Sequence, residues 1–139
     1  MHERGWFEPA SAKTARERYE SLGSTAQVLL TEVAKAMAFD SGEYDRRVTP
    51  EVVETAREVL FAADLLVRVG TREEYEDWIE GREYEVIERG SENVTRIVWH
   101  AAPFADEVAA ATFEHEEDAA VETVRRQALG GIYRNRLEG

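Results

Sequence analysis

The pattern of apolar and polar positions predicts helices in the first half of the chain and mainly strands in the second. In the N-terminal segment, Ala15, Tyr19 and Leu22 recur at three- and four-residue spacing, which is typical of one helix face. A first helix is therefore predicted to begin near Pro9 or Ser11 and to end at Leu22.

A second helix is predicted from Ser24 to Phe39. Gly23 suits the left-handed position that closes a preceding helix, and Ser24 with Gln27 forms a capping-box pattern. Residues 28–39 are apolar over most of the helix circumference, whereas an isolated surface helix shows a narrower stripe. We expect this helix to lie centrally or in a subunit interface.

A loop and a third helix are predicted next. The sequence DSGEYDRRV, from Asp40 to Val48, is expected to form the loop. Thr49-Pro50-Glu51 then combines a cap, a first-turn proline and an acid that the helix dipole favours. Apolar positions at helical spacing continue from there to Ala63.

The second half is predicted to contain strands around one short helix. Strands are expected at 65–69 and 84–88, and a capping box at Thr71 and Glu74 opens the helix between them, which Gly81 closes. A connection that holds a whole helix is compatible with a parallel crossover between these two strands. The turn at 90–93 is expected to lead the second of them into an antiparallel hairpin.

The stretch from Val94 to Phe113 is predicted to be a buried β-hairpin around which the chain is organised. Its strands are expected at 94–101 and 108–113, joined by the tight connection at 103–106. Because side chains alternate along a strand, Trp99 and His100 should face opposite sides of the sheet. The face carrying Ile97 and Trp99 needs a covering helix.

The last helix is predicted to start near 116–118 and to run to about Arg134, with an end or kink at Gly130-Gly131. The fold class is therefore a single α+β domain over 1–139. Three N-terminal helices precede β-α-β-β-β-α, and about four strands form a mixed or mostly antiparallel sheet covered by helices.

The charge balance favours a salt-rich environment, and the alternative is an ordinary acidic bacterial protein whose few lysines reflect a GC-rich genome. The chain has 29 acidic residues against 17 basic ones and a net charge of −12, and Lys13 and Lys35 are its only lysines. Such a domain repels itself at low salt, whereas molar salt shortens the Debye length to about 3 Å. The same acidity makes binding to DNA unfavourable, because that binding needs clustered positive charge.

Several classes of protein have no support in the sequence. There is no cysteine, so a disulfide framework, a thiolate nucleophile and a cysteine metal site are all excluded. No apolar run approaches the length of a membrane span, and the first residues lack the apolar core of a signal peptide. A cytoplasmic location is expected.

The candidate ligand-binding residues are few, and no catalytic residue, metal site or cofactor is predicted. His100 has an ordinary pKa near neutrality and can act as an acid, a base or a ligand, but a structural histidine is the commoner outcome. Arginines near the C-terminus can bind an anion or complement the last helix dipole. The candidates are His100, Trp99, Tyr84, Arg125 and Arg126, of which strand alternation allows only a subset to converge.

The cluster Glu114-His115-Glu116-Glu117-Asp118 has metal-ligand chemistry without metal-ligand spacing. A metalloprotease helix needs a second histidine four positions after the first, and that position is Ala119. Acidic residues are expected at a helix start in any case.

Three stretches of the chain resemble a family of small uncharacterised acidic proteins from halophilic archaea. They are MAFDSGEYDRRVTPEVVETAREVLFAADLLVRVGTREEY, SENVTRIVWHAAPFADEVAAATF and VETVRRQALGGIYR. The resemblance covers most of the chain and implies a haloarchaeal cytoplasmic protein. It carries over no active-site residue, since the family has no assigned activity.

Without a catalytic constellation, the sequence leans away from an enzyme. The leading hypothesis is a non-catalytic interaction or regulatory module that self-associates through residues 28–39 or a sheet edge, or binds an unknown protein partner. One alternative is a small-molecule-binding protein or enzyme with a cleft near His100 and the C-terminal arginines. Another is an RNA- or ribosome-associated protein.

Overall fold

The computed structural model describes residues 1–138, so Gly139, the last residue of the expected domain, lies outside the described part. The helices are α1 (Ala12–Ala36), α2 (Ser41–Arg47), α3 (Pro50–Ala63), α4 (Arg72–Ile79), α5 (Glu117–Ala128) and α6 (Arg134–Leu137). The strands are β1 (His2–Arg4), β2 (Val67–Thr71), β3 (Glu85–Arg89), β4 (Arg96–Ala102) and β5 (Glu107–Phe113). A 3-10 turn at Pro103–Ala105 joins β4 to β5, and a π-helical turn at Leu129–Tyr133 joins α5 to α6.

The strands form one mixed sheet in the order β1-β2-β4-β5-β3. Neighbouring strands are antiparallel except β3 and β5, which are parallel. The predicted α+β class with a helix-covered mixed sheet is confirmed. The strand number was wrong, because His2–Arg4 adds a fifth strand along β2. That segment has no apolar alternation that would have revealed it.

Helices cover the sheet on both faces. On one face α4 covers Ile97, Trp99 and Ala101 of β4, as the pattern of that strand requires. On the other face α1, α3 and α5 enclose the larger core, in which Phe61 and Tyr133 are fully buried. The predicted hairpin is confirmed, since β4 and β5 pair along their whole length. Both strands are buried at almost every position.

The prediction of two helices separated at Gly23 was wrong, because α1 runs unbroken through that residue. A glycine costs a helix only about 1 kcal/mol. Tertiary packing outweighs that cost here, since Arg57 of α3 lies against this turn. Its guanidinium carbon is 4.3 Å from the centre of the Tyr19 ring, and its Nε donates to the Tyr19 carbonyl at 2.8 Å.

The predicted loop at 40–48 contains the short helix α2. The Asp40 side chain accepts a hydrogen bond from the Glu43 backbone at 2.8 Å and caps the helix. Glu43 in turn pairs with Arg46 and Arg47. On the side facing α1, Gln27 donates to the hydroxyl of Tyr44 at 2.6 Å. Local capping and charge pairing make this polar segment helical although it buries no residue fully.

The prediction that β3 leads into an antiparallel hairpin with β4 was also wrong. The connection after β3 crosses the end of β5, so β3 lies at the sheet edge and runs parallel to β5. Gly90 allows this crossing because its backbone has φ +109° and packs directly on the Thr112 side chain. The next residue, Ser91, donates its backbone N–H to the Thr112 hydroxyl at 3.0 Å.

The irregularity predicted at Gly130-Gly131 is present as the π-helical turn. It changes the direction of the side chains after α5 and brings Tyr133 into the core beside Phe61, with ring centres 5.3 Å apart. Within residues 1–138, no helix combines the length and apolar content needed to cross a membrane.

Candidate functional site

His100 lies at the centre of the larger core and has no exposed surface. Its Nδ1 lies 2.6 Å from the carbonyl oxygen of Leu66, and its Nε2 lies 2.7 Å from the hydroxyl of Tyr133. A carbonyl can only accept, so Nδ1 carries the proton and Nε2 accepts from the tyrosine. Both ring nitrogens are thereby used within the fold.

Burial keeps this histidine neutral. Loss of hydration lowers the pKa of His100 from its ordinary value of 6.5 to about 4, and the hydrogen bond to the Leu66 carbonyl only partly opposes that shift. Burial also raises the pKa of the Tyr133 hydroxyl above its ordinary value. The pair is therefore a neutral hydrogen-bonded link between β4 and the π-helical turn at physiological pH.

Arg125 holds the same stretch of backbone as His100. Its Nε donates to the Leu65 carbonyl at 3.1 Å, next to the Leu66 carbonyl that His100 uses. Its side chain is mostly buried, and burial lowers its pKa from the ordinary value. These two of the predicted site residues thus meet at Leu65-Leu66, where both are bonded to backbone.

Trp99 and Tyr84 lie in the smaller core on the opposite face of the sheet. The Trp99 ring contacts Tyr75 and Trp78 of α4, with ring centres 5.1 and 5.9 Å apart. Tyr84 is half-buried beside Trp78. Within residues 1–138, the buried Nε1 of Trp99 has no hydrogen-bond partner. The sheet therefore separates these two aromatic residues from His100, and ligand binding by any of them stays a prediction.

Arg126, the fifth predicted residue, lies in an open groove between the edge strand β3 and α5. The groove consists of two adjoining cavities, of about 450 Å³ and about 580 Å³, which share Arg89 and Thr123. The larger cavity is lined by Ile87, Arg89, Thr123, Arg126, Gln127, Gly130, Gly131 and Arg134. Gly131 permits the close approach of the π-helical turn to β3, since a Cβ there would lie 2.9 Å from the Ile87 side chain.

Sequence reasoning missed Arg89 and Gln127 as candidates for this groove. Arg89 is on a strand that was expected to continue into a hairpin, and only the parallel edge position of β3 places it opposite α5. The paired glycines and the nearby arginines were the only available signals of a groove here.

Two residues of the acidic cluster at the start of α5 make ion pairs with β1. Glu117 and Asp118 both pair with Arg4 of β1, at 3.1 and 2.7 Å, and Glu117 also contacts His2. Within residues 1–138, no three His, Cys, Asp or Glu side chains gather closely enough to hold a metal ion.

A second candidate surface is the C-terminal half of α1. The exposed fractions are 61% for Val28, 43% for Leu29, 43% for Val33 and 60% for Met37. Leu29, Val33 and Met37 are spaced by four residues and share one side of the helix. The same side is buried in the N-terminal half of α1, where Ala15, Tyr19 and Leu22 enter the core.

The neutral state of His100 makes stability depend on pH. Between pH 6.5 and about 4 the unfolded imidazole takes up a proton that the folded one does not bind, so stability falls as the pH falls. Through this window the wild type should lose on the order of 3 kcal/mol more unfolding free energy than the His100→Gln variant. Urea unfolding at fixed salt concentration measures both curves.

All other groups are the same in both proteins, so the difference between the curves isolates His100. Parallel curves for wild type and variant would show that His100 does not titrate differently in the folded and unfolded states. That result would contradict the buried neutral assignment.

Comparison with known proteins identifies the family but adds no function. No curated protein and no solved structure matches this chain. A family model described as a family of unknown function (DUF5809) matches residues 6–134, which include the whole sheet apart from β1, all of α1 to α5 and the π-helical turn. The chain belongs to this family of unknown function.

Proposed function

We propose that this protein is a non-catalytic interaction module that self-associates through the exposed apolar surface of α1, within residues 28–39. The observation that carries the proposal is the exposure of Leu29, Val33 and Met37 on one side of a helix. The buried polar side chain His100 has both ring nitrogens hydrogen-bonded within the fold, so neither nitrogen is free to act as an acid, a base or a ligand.

Leu29, Val33 and Met37 form an apolar stripe along α1, and the direction of this stripe supports a binding surface. The side of α1 that enters the core at Ala15 and Tyr19 continues to Val33 and Met37, where those side chains are exposed. Exposing one such residue is ordinary in a globular protein, whereas a row of large apolar side chains on one side marks a contact site.

A second copy of this chain is the partner that fits the stripe best. In a twofold-symmetric contact each residue meets its symmetry counterpart, so an antiparallel pairing of two α1 helices centred on Val33 places Leu29 of one copy opposite Met37 of the other. The spacing of four residues on either side of Val33 makes the stripe self-complementary. Glu32 and Lys35 flank the stripe and are already paired with each other at 3.3 Å.

Val33 at the proposed twofold axis provides the test. At molar KCl, light scattering should give twice the monomer mass for the wild type, and Val33→Glu should give a monomer, because the variant brings two carboxylates together in an apolar contact. The control is Val59→Glu, since Val59 is also exposed, at 61% against 43% for Val33, but lies on α3. A wild-type monomer at high protein concentration would overturn the proposal.

Cross-linking checks the geometry independently. The chain has no cysteine, so a single Val33→Cys substitution introduces the only thiol. Oxidation should then give a disulfide-linked dimer rapidly, while Glu76→Cys on the exposed side of α4 should cross-link slowly. Equal rates for the two variants would place the contact elsewhere.

We further propose that the protein works in the salt-rich cytoplasm of a halophilic archaeon. Support comes from the net charge of −12 and the presence of only two lysines. Self-repulsion of this charge opposes both folding and self-association unless salt screens it.

Thermal unfolding against salt tests the environment. The Tm should fall as KCl is lowered from about 1 M to about 0.1 M, where the Debye length grows from about 3 to about 10 Å. Circular dichroism measures the change, and NaCl at equal ionic strength should reproduce it if screening is the cause. An unchanged Tm without added salt would contradict a salt-dependent fold.

A further inference from the structure

We propose that the groove between β3 and α5 binds a small organic anion, one that joins a phosphate or carboxylate to a group that both donates and accepts hydrogen bonds. Arg89 and Arg126 would hold the oxyanion and Gln127 the adjoining polar group. The inference is independent of self-association through α1, which lies on another part of the molecule.

The first support is that the two arginines without a partner in the described part of the chain share this groove. Within residues 1–138, every other arginine makes an ion pair, a hydrogen bond or an aromatic contact. Arg89 and Arg126 make none of these, and both line the larger cavity. In a chain with 29 acidic residues, two free guanidinium groups in one groove are not a consequence of composition.

The second support is the sign of the charge in the larger cavity. Three arginines line it and none of its lining residues is acidic, although the adjoining cavity contains Glu114 and Glu116. Arg134, the third arginine, keeps one ion pair outside the lining, with Glu58 at 3.0 Å. The local field in this cavity therefore favours an anion against the acidic surface around it.

The helix dipole does not account for this arrangement. Arg126 near the end of α5 is in the position where a cation complements a helix C-terminus. Arg89 comes from β3, a separate element, and the chain continues beyond α5 into the π-helical turn. Because a strand and a helix each contribute an arginine to the same cavity, the arrangement indicates a binding site rather than the capping of a helix end.

The third support is an unused amide. Both the Nε2 and the Oε1 of Gln127 are buried and lack a hydrogen-bond partner within residues 1–138. Buried amides are normally paired, so this one needs a partner that offers an acceptor and a donor side by side. Because it forms no hydrogen bond in the fold, it can turn towards a ligand without breaking one.

Together these groups define the ligand. Guanidinium groups bind phosphate or carboxylate oxygens through charge-assisted hydrogen bonds, and the amide recognises an adjoining edge that donates and accepts. A cavity of about 580 Å³ has the size of ordinary small-molecule sites. The paired glycines leave backbone rather than side chains along one wall. The site therefore suits a molecule no larger than a mononucleotide.

The test is calorimetric titration of the full chain in KCl sufficient to keep it folded. The probes are the nucleoside 5′-monophosphates, citrate, glutamine and inorganic phosphate, all at equal ionic strength. The nucleotides and citrate distinguish a phosphate from a carboxylate source, while glutamine presents the polar edge without a second oxyanion. The variants are Arg89→Gln, Arg126→Gln and Gln127→Leu, with Arg46→Gln as the matched control because Arg46 is exposed on α2.

We expect saturable binding of at least one organic anion. Arg89→Gln and Arg126→Gln should each weaken it by about 10-fold or more, as expected for loss of a charge-assisted hydrogen bond. Gln127→Leu should weaken binding of the organic anion and leave binding of inorganic phosphate unchanged. Arg46→Gln should change neither affinity. Circular dichroism confirms that each variant is folded.

Four results would overturn the inference. The first is no saturable binding of any probe to the folded wild type. The second is an equal loss with Arg46→Gln, which would indicate attraction by overall charge. The third is inorganic phosphate binding as tightly as every organic probe, which would leave an unselective anion site. The fourth is binding of a short RNA, titrated in the same way, in place of all the small probes, which would assign the arginines to a macromolecular surface.

Discussion

The hydrogen bonds of His100 are the constraint on which the rest of the structure depends. One imidazole joins the carbonyl that precedes β2 to the hydroxyl of Tyr133 in the π-helical turn, and its own strand β4 lies at the middle of the sheet. Arg125 bonds the neighbouring carbonyl of Leu65, so two side chains hold one short segment. Removing either partner would leave a buried polar group unpaired, which costs about 1–3 kcal/mol. The resulting rigidity fixes where α5 and the turn lie over the sheet.

The two surfaces with proposed roles lie where this packing ends. Beyond the core, α1 continues with its apolar side uncovered, and beyond β5 the edge strand β3 leaves a groove against α5. The π-helical turn connects the core with the groove, because Tyr133 faces the core while Gly130 and Gly131 line the groove. A turn held by a buried hydrogen bond is a firm wall for a ligand site, and firm positioning of binding groups is what such a site needs.

Much of the fold can be predicted from local sequence patterns, and the predictions that were wrong have physical causes. Alternation along β4 gave the correct faces of Trp99 and His100, and the hairpin with β5 is as expected. The helix break predicted at Gly23 was wrong because Arg57 packs across this residue, and no local pattern predicts that contact. The edge position of β3 depends on a crossing past Thr112, and strand order is not encoded in periodicity. The groove was missed for the same reason, since Arg89 and Arg126 are distant in sequence and meet only through that strand order.

The measurement that tests the structural role of His100 most directly is long-range ¹H–¹⁵N NMR of its imidazole ring at neutral pH and on acidification. The ring should be neutral with the proton on Nδ1, and its two nitrogen shifts should stay well separated down to about pH 5, because burial holds its pKa near 4. A proton on Nε2, or a titration midpoint close to 6.5, would contradict the buried link to Leu66 and Tyr133. It would then return His100 to the candidate chemical groups of the protein.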